Sequence, residues 1–222
     1  GMVVHPAPGH SLGTLVNALL GKFPELGRIE QGLRPGIVHR LDKNTSGLMV
    51  VTKNRRAHEH VAQQIKERSI RKVYIAMATG YMDATNGTIV SCIGRDPKNR
   101  KRMAVVEIGR EAETAYEVLE RLQGFTLLKA FPKTGRTHQI RVHFSSLGHP
   151  LVGDTLYGGK HSNLDRQFLH AHILGFRLPK LDKYVEFNSP LPADLDTFLM
   201  QIRDVKSNAV ADISSEKFNE RF

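Results

Sequence analysis

The chain of 222 residues is 40% hydrophobic and 24% charged, as in a globular protein with one domain or two small ones, and no apolar run approaches the roughly 18 residues of a membrane span. A single cysteine, Cys92, excludes an internal disulfide and zinc sites built from several cysteines, and the N-terminus shows no secretory signal pattern, so we expect a cytoplasmic protein. The 32 Lys and Arg residues outnumber the 22 Asp and Glu residues, which favours a polyanionic partner such as RNA or DNA over a merely solubilising basic surface.

The first part of the chain predicts two helices separated by a pair of strands. Leucine and valine recur at helical spacing over residues 11–23, which indicates the first helix. Residues 37–42 and 47–53 are apolar runs around a Thr-Ser-Gly turn and are predicted to be strands. Asn54 can cap a second helix that ends near Arg68.

Strands dominate the part of the chain that follows. Six segments have strand-like composition, at residues 71–82, 87–93, 113–121, 125–131, 168–178 and 185–191. Helical spacing returns over residues 137–147, and Pro192 can open a last helix. Because strands outnumber helices and do not alternate with them regularly, we predict an α+β fold, with a mostly antiparallel mixed sheet flanked by helices, in one domain over residues 1–204. Residues 205–222 are polar and unpatterned, and are predicted to be a tail or a weakly docked helix.

Asp42 is a lone carboxylate between two apolar runs, IVHRL and LMVV, and the turn sequence KNTSG follows it directly. A carboxylate at the end of a buried strand is costly unless it is paired or used in chemistry. One interpretation is a turn residue that bonds nearby backbone amides. The other is a functional carboxylate, because His39, Arg40 and Lys43 crowd the same stretch and an anionic ligand there would meet both positive charge and a carboxylate.

A second group of polar residues lies within residues 133–159. Three of them share one face of the predicted helix by their spacing, namely His138, Arg141 and Ser145. The following loop is rich in glycine, which suits close approach of the backbone to a ligand. A solvated polar face is the alternative interpretation.

Two other features have both a functional and an ordinary interpretation. Tyr74 lies inside a predicted strand, where it is either a core aromatic or the wall of a site. Residues 95–102, RDPKNRKR, hold five basic residues against one acid. This loop is either a solvated surface or a clamp for phosphates.

These stretches together resemble the RluA-type RNA pseudouridine synthases. HRLDKNTSGLMVVTK resembles the catalytic-aspartate motif, RKVYIAMATG the active-site tyrosine segment, GRTHQIRVHFSSLGHPLVGDTLYGG the third motif, and FLHAHIL the strand that lines the uracil pocket. GRDPKNRKRMAVV and REAETAYEVLE resemble the connection in the large-ribosomal-subunit, RluD-like branch. The resemblance runs from about residue 3 to residue 204. The small N-terminal S4-like domain of many relatives, and a strand upstream of GMVVHPAPG, are expected to be absent.

The resemblance implies that specific uridines in RNA, with 23S ribosomal RNA as the expected substrate, are converted to pseudouridine. Asp42 would be the catalytic carboxylate, acting either as a nucleophile at C1′ or as a base at C2′, and Arg141 would be its basic partner. Tyr74 would lie against the uracil, and Leu169 would close the apolar side of the pocket.

The same resemblance implies a set of residues that contact the RNA. His39 and Arg40 would hold phosphates or prop open the base stack, because the target base must leave the stack to react. The further substrate contacts would come from Arg136, His138, Lys98, Arg100, Lys101 and Arg102. The chemistry needs no metal and no cofactor, and we expect a monomer that binds RNA and no membrane.

Two other classes of function compete with this prediction. A non-catalytic RNA-binding module would explain the basic charge but would not require Asp42, Tyr74 and Arg141 together. A metal-dependent phosphodiesterase could use His170 and His172, which lie two apart on a predicted strand, although no spacing fixes a metal geometry. The target uridine is not predictable, because RNA specificity rests on shape and flanking single-stranded bases.

Overall fold

The computed structural model describes residues 1–6, 11–29 and 35–204 of the chain. Within this part, one sheet contains the strands β1 (Ser46–Gly47), β2 (Arg71–Thr79), β3 (Asn86–Arg95), β4 (Met103–Val105), β5 (Arg110–Leu122), β6 (Phe125–Pro132), β7 (Leu169–Arg177) and β8 (Tyr184–Asn188). The order is β1-β7-β2-β6-β5-β3-β4, and β8 pairs with β7. β1 runs parallel to β7, and the other pairs are antiparallel.

The helices are α1 (Leu15–Lys22), α2 (Leu26–Ile29), α3 (Arg55–Lys66) and α4 (Gln139–Ser146), and a further helix, α5, covers residues 193–204. α1 starts later than predicted because Thr14 caps it: its hydroxyl accepts the Asn17 N–H, and the Asn17 side chain accepts the Thr14 N–H. The predicted α+β fold with a mostly antiparallel mixed sheet is confirmed. The predicted tail, residues 205–222, lies outside the described residues. No helix of the described part is long and apolar enough to cross a membrane.

β2 runs through the core, and its alternating side chains pack on both faces of the sheet. Ile75 belongs to the cluster that contains Phe198 of α5. Ala76 belongs to a second cluster, which contains Phe144 of α4. The helices α4 and α5 therefore cover opposite faces. Tyr74, two residues before Ala76, packs against the second cluster and so lies on the α4 face.

The two strands predicted over residues 37–42 and 47–53 are wrong as regular strands. The segment is reduced to a single bridge between Ile37 and Val51 and to the two residues of β1. The backbone here takes other partners, since the Val50 N–H donates to Nε2 of His39 at 3.0 Å. The apolar runs therefore indicated packing against the core correctly and strand pairing incorrectly.

β1 depends on a glycine. Gly47 has a φ of 111°, and a Cβ at this position would collide with the backbone of Ala171 in β7. The Leu48 N–H then donates to the Ala171 carbonyl oxygen at 2.9 Å. This close approach attaches the turn after Asp42 to the edge of the sheet.

Candidate active site

Arg141 in α4 connects two carboxylates. Its guanidinium donates from Nε to Asp154 Oδ2 at 2.7 Å, from Nη2 to Asp154 Oδ1 at 2.9 Å and from Nη1 to Asp42 Oδ2 at 3.3 Å. The Arg141 side chain is 8% exposed and that of Asp154 is 1% exposed, so the two-bond pairing compensates for burial of both charges. Burial would lower the pKa of Arg141, but the bonds and charges of Asp154 and Asp42 raise it, so the guanidinium stays charged.

Asp154 was not among the predicted site residues, although it is the carboxylate that Arg141 binds most closely. It lies in the glycine-rich loop, where Gly153 and Gly159 pack against other backbone rather than marking a ligand. A Cβ at Gly153 would collide with the carbonyl oxygen of Arg166, and one at Gly159 with that of Leu151. The available signal was an acidic residue inside GDTLYGG in a strongly basic chain.

Asp42 is presented to Arg141 by a tight turn. The Thr45 N–H donates to the Asp42 carbonyl oxygen at 3.0 Å, and Asn44 has a φ of 70°. The Asp42 side chain is 16% exposed, so its carboxylate contacts the guanidinium and can still be reached from solvent.

Tyr74 and Leu169 lie on one face of the sheet beside this pair. Leu169 is opposite Ala76 in the β2–β7 register, and both belong to the cluster against which Tyr74 packs. Burial is the main cause that raises the pKa of Tyr74 well above its ordinary value, and the negative charge of Asp42 adds to it. The phenol is therefore neutral at physiological pH. The structure thus brings Asp42, Arg141 and Tyr74 together.

Tyr157 packs against Arg141, and the sequence interpretation did not name it as a site residue. The Arg141 guanidinium carbon lies 5.0 Å from the centroid of its ring. The Tyr157 hydroxyl accepts the Met103 N–H at 3.0 Å and lies 2.8 Å from Nδ1 of His138. Burial raises the pKa of Tyr157 to about 12 and lowers the pKa of His138, so both groups are neutral at pH 7. His138 thus lies near Arg141 without a positive charge, but it precedes α4 as its N-cap and does not lie on a face of the helix.

His39 does not provide the positive charge expected of a phosphate ligand. Its Nε2 accepts the Val50 N–H, and burial together with the charge of Lys72 lowers its pKa to about 4. A neutral imidazole bonded to backbone supports the chain around Asp42. The next residue, Arg40, is exposed, and its role of holding phosphates or propping open the base stack stays a prediction.

The loop of residues 95–102 is organised by Asp96. Its carboxylate accepts the N–H groups of Lys98 and Asn99 and pairs with Arg102 Nε at 2.7 Å. Arg102 therefore holds the loop together, and its contact with phosphate stays a prediction. The other three predicted contacts, Lys98, Arg100 and Lys101, are exposed.

Arg136 lies in a second basic cluster at the start of β5. Its Nε donates to the Glu111 carbonyl oxygen at 2.9 Å, and Arg68 Nη2 lies 4.0 Å from the Glu111 carboxylate. Burial and the charges of Arg110 and Arg68 lower the pKa of Arg136. Arg136 thus lies among other cations, and Arg68 also lies near the exposed Glu111 carboxylate.

His170 and His172 are both engaged by Ser189. The Ser189 carbonyl oxygen lies 3.1 Å from His170 Nε2 and 2.6 Å from His172 Nδ1, and His170 Nδ1 lies 2.9 Å from Ser46 Oγ. Both ring nitrogens of His170 therefore have protein partners. Within the described ranges, no group of three His, Cys, Asp or Glu residues could hold a metal ion.

Comparison with known proteins places this geometry in a family. A family model described as RNA pseudouridylate synthase matches residues 1–146. The chain is 52% identical over 206 residues to an uncharacterized RNA pseudouridine synthase of Chloroflexus aurantiacus, covering 92% of this chain and 65% of the relative. It is 43% identical over 220 residues to the ribosomal large subunit pseudouridine synthase D of Nitrosomonas europaea, covering 95% of this chain and 63% of the relative. It therefore spans slightly less than two thirds of these two proteins.

A solved structure agrees with the sequence comparisons. The fold is similar to that of human RNA pseudouridylate synthase domain containing 1, with a TM-score of 0.66 and 32% identity over 86% of this chain and 85% of that one. The part of the chain that the family model matches includes Asp42, Tyr74 and Arg141. The chain belongs to the RNA pseudouridylate synthase family.

Proposed function

We propose that this protein is an RNA pseudouridine synthase that converts specific uridines to pseudouridine, and that large-subunit ribosomal RNA is its substrate. The observation that carries the proposal is the ion pair between Asp42 and the buried Arg141, beside the neutral phenol of Tyr74. An RNA-binding module without catalysis would gain nothing from two carboxylates on one buried guanidinium, which is a costly arrangement. The name of the Nitrosomonas europaea relative supports the choice of RNA.

The reaction moves one bond and leaves the composition of the nucleotide unchanged. The C1′–N1 bond breaks, a C1′–C5 bond forms, the proton on C5 is lost to solvent, and N1 gains one. Asp42 acts on the ribose, either by attack of its carboxylate on C1′ or by removal of the C2′ proton, which is later returned. Both routes need the ionised carboxylate, and the charged Arg141 stabilises that form.

Tyr74 and Leu169 supply the walls of the uracil pocket in this proposal. Burial raises the pKa of Tyr74 and keeps its phenol neutral, and in this proposal its ring stacks on the uracil. Leu169 packs on the same face and closes the apolar side. The uridine reaches these walls only when it flips out of its helix.

The basic surface of the protein would hold the RNA backbone around the flipped base. The exposed Lys98, Arg100 and Lys101 form one set of phosphate ligands, and Arg136 in its arginine cluster forms a second. One chain supplies Asp42, Arg141 and the pocket walls, so we propose a monomer that acts in the cytoplasm without metal or cofactor.

The central test compares the protein with its Asp42→Asn variant. Asn is nearly isosteric and keeps the turn, but it cannot act as nucleophile or base. We expect wild type to release tritium from C5-labelled uridine in ribosomal RNA, and the variant to release none while it melts within a few degrees of wild type and binds RNA comparably. Substantial release by the variant would return Asp42 to a turn role.

Two further measurements separate the alternatives. A strong chelator should leave tritium release unchanged, whereas loss of activity would favour a metal-dependent reaction. Mapping pseudouridines in ribosomal and transfer RNA from cells with and without the protein identifies the substrate. A site that disappears only from transfer RNA would overturn the ribosomal assignment.

A further inference from the structure

The turn after Asp42, residues 43–46, is held from outside by Arg166, which lies in the loop before β7. Arg166 donates from Nη1 to the Asn44 carbonyl oxygen at 2.9 Å and to Ser46 Oγ at 3.2 Å. One guanidinium nitrogen therefore fixes both the backbone and a side chain of the turn.

The next residue, Gln167, fixes the other two positions. It donates from Nε2 to the Lys43 carbonyl oxygen at 2.9 Å and to the Thr45 hydroxyl at 3.0 Å. Gln167 is 4% exposed, so these bonds are shielded from competing water. All four residues of the turn thus accept a hydrogen bond from one of two adjacent side chains.

Arg166 is itself oriented by α5. Its Nε and Nη2 donate to the two carboxylate oxygens of Asp194, at 2.5 Å and 2.9 Å. This bidentate pairing fixes the plane of the guanidinium and aims Nη1 at the turn. Because the fork has that geometry, a lysine at position 166 could not make the same set of bonds.

The hydrogen-bond network continues to His170 of β7, and a donor and an acceptor can be assigned to each of its bonds. The Ser189 carbonyl oxygen can only accept, so His170 carries its proton on Nε2, which donates to Ser189 at 3.1 Å. His170 Nδ1 then accepts from the Ser46 hydroxyl at 2.9 Å. Ser46 Oγ remains able to accept from Arg166, so every donor in this network has an acceptor.

Asp42 needs this support because Arg141 holds it weakly. Arg141 makes its two short bonds to Asp154 and reaches Asp42 with a single bond of 3.3 Å. The turn also contains Asn44 in the left-handed region, a conformation that is strained for most residues. The direction of the Asp42 carboxylate must therefore come from its backbone.

We infer that Arg166 and Gln167 are positioning residues, which act on catalysis by holding the turn that presents Asp42. This inference rests on the proposed function, because its effect on rate requires that Asp42 react. In this inference both residues act through the turn and not by contact with the uridine. Their removal should lower the rate of the chemical step and leave RNA affinity and the KM for RNA unchanged.

The test uses Arg166→Lys and Gln167→Met in the full chain. The first keeps the charge and removes the fork, and the second keeps the length and removes the donors. We expect each to lower the single-turnover rate of tritium release at least about tenfold, with RNA binding within about twofold of wild type. Hydrogen exchange should accelerate at the amides of residues 43–46, including Thr45, and stay unchanged in β2 and β6.

Arg203→Lys is the matched control. Arg203 also lies on α5 and pairs through Nε and Nη2 with a single carboxylate oxygen of Glu120, far along the chain from the turn. This variant should keep the charge and lose a guanidinium–carboxylate pairing, with no change in rate or in exchange at residues 43–46.

The outcomes separate this inference from the proposed function. If wild type releases no tritium, the proposed function fails, and the exchange data still decide whether the two residues hold the turn. If turnover is unchanged in both variants, the positioning role is overturned. Acceleration of exchange throughout the chain, or an equal loss of rate in Arg203→Lys, would also overturn it, because either result marks a general loss of stability.

Discussion

Arg141 and Arg102 make the same bond in two different surroundings. Each donates from Nε to an aspartate Oδ2 at 2.7 Å, to Asp154 and Asp96 respectively. The Arg141 side chain is 8% exposed, whereas that of Arg102 is 39% exposed. The two pairs thus differ in solvent access at equal bond length.

The difference indicates what each region contributes. In the loop, water and salt partly screen the pair, because Arg102 is partly exposed although the Asp96 side chain is only 7% exposed. This pair shapes a loop whose exposed cations can meet phosphates. A buried pair leaves an uncompensated charge when one partner is removed, at a cost of about 3–5 kcal/mol. We therefore expect turnover to depend on the geometry around Arg141, and RNA binding to depend on the number of charges in the loop of residues 95–102.

Arg141→Lys tests the geometric sensitivity of the centre. Lysine keeps the charge but cannot bond both carboxylates of Asp154 and Asp42 with a planar fork. We expect turnover to fall about 100-fold, which corresponds to about 2.7 kcal/mol in the barrier, while RNA affinity changes less than about twofold. Steady-state tritium release and filter binding measure the two effects.

The matched change in the loop is Arg102→Lys, which should alter turnover less than about twofold. If RNA binding falls as far as turnover in Arg141→Lys, then Arg141 is a phosphate contact and the assignment of the centre is wrong.

Asp154→Asn tests whether the second carboxylate is structural. It keeps the shape of the side chain and removes the charge that the buried Arg141 binds most closely. We expect a loss of about 3 kcal/mol in the free energy of unfolding and a fall in turnover of about tenfold. Urea denaturation and tritium release check both. Unchanged stability would mean that Asp42 alone suffices to balance Arg141.

The loop should respond to charge removal in proportion to the number of phosphate ligands that are removed. Changing Lys98, Arg100 and Lys101 together to Gln should weaken RNA binding about tenfold at all sequences and leave the organising pair of Asp96 intact. On single-stranded RNA, the slope of log affinity against log salt should flatten by about 0.7 for each phosphate that is no longer neutralised.

The control for the loop removes three exposed charges from α3, as Arg55→Gln, Arg56→Gln and Lys66→Gln. It has the same net charge as the loop variant and should keep a steeper salt slope. Equal slopes in the two triple variants would reduce the loop to a general contributor of charge.

The candidate site residues that the sequence suggested lie within single motifs. Asp42, Tyr74 and Arg141 were predicted because each lies in a long stretch that resembles the family. α3 and β2 were predicted because spacing and a cap residue define them locally. The charge of the chain pointed to a nucleic acid, RNA or DNA, since net charge needs no knowledge of contacts.

The parts that were missed depend on contacts that residue spacing does not reveal, even inside a motif. Asp154 reaches Arg141 across the glycine loop, and no periodicity marks such a pair. The neutral state of His39 follows from its burial and from the charge of Lys72, a residue of β2. The strands predicted around residues 37–53 did not form because the Val50 N–H bonds a side chain rather than a strand.

The buried region around α4 also contains His143, which burial keeps uncharged. It lies in α4, is 0% exposed, and bonds Thr114 Oγ1 through Nδ1 at 3.0 Å. Its Nε2 has no hydrogen-bond partner in the described part of the chain, and burial lowers its pKa to about 4. The unfolded chain binds a proton on this residue near pH 6.5, and the folded protein does not until about pH 4.

The stabilising effect of the neutral His143 is therefore complete above about pH 6.5 and is lost as the pH falls through about 4. We expect the free energy of unfolding of wild type to fall over this window, and the fall to be shallower in His143→Leu, by up to about 1.4 kcal/mol per pH unit. Urea denaturation of both proteins at half-unit steps measures the slopes, and carboxylates that titrate in the same range are common to both and cancel. Equal slopes would mean that water already reaches Nε2 and that the interior under α4 is wetter than its packing indicates.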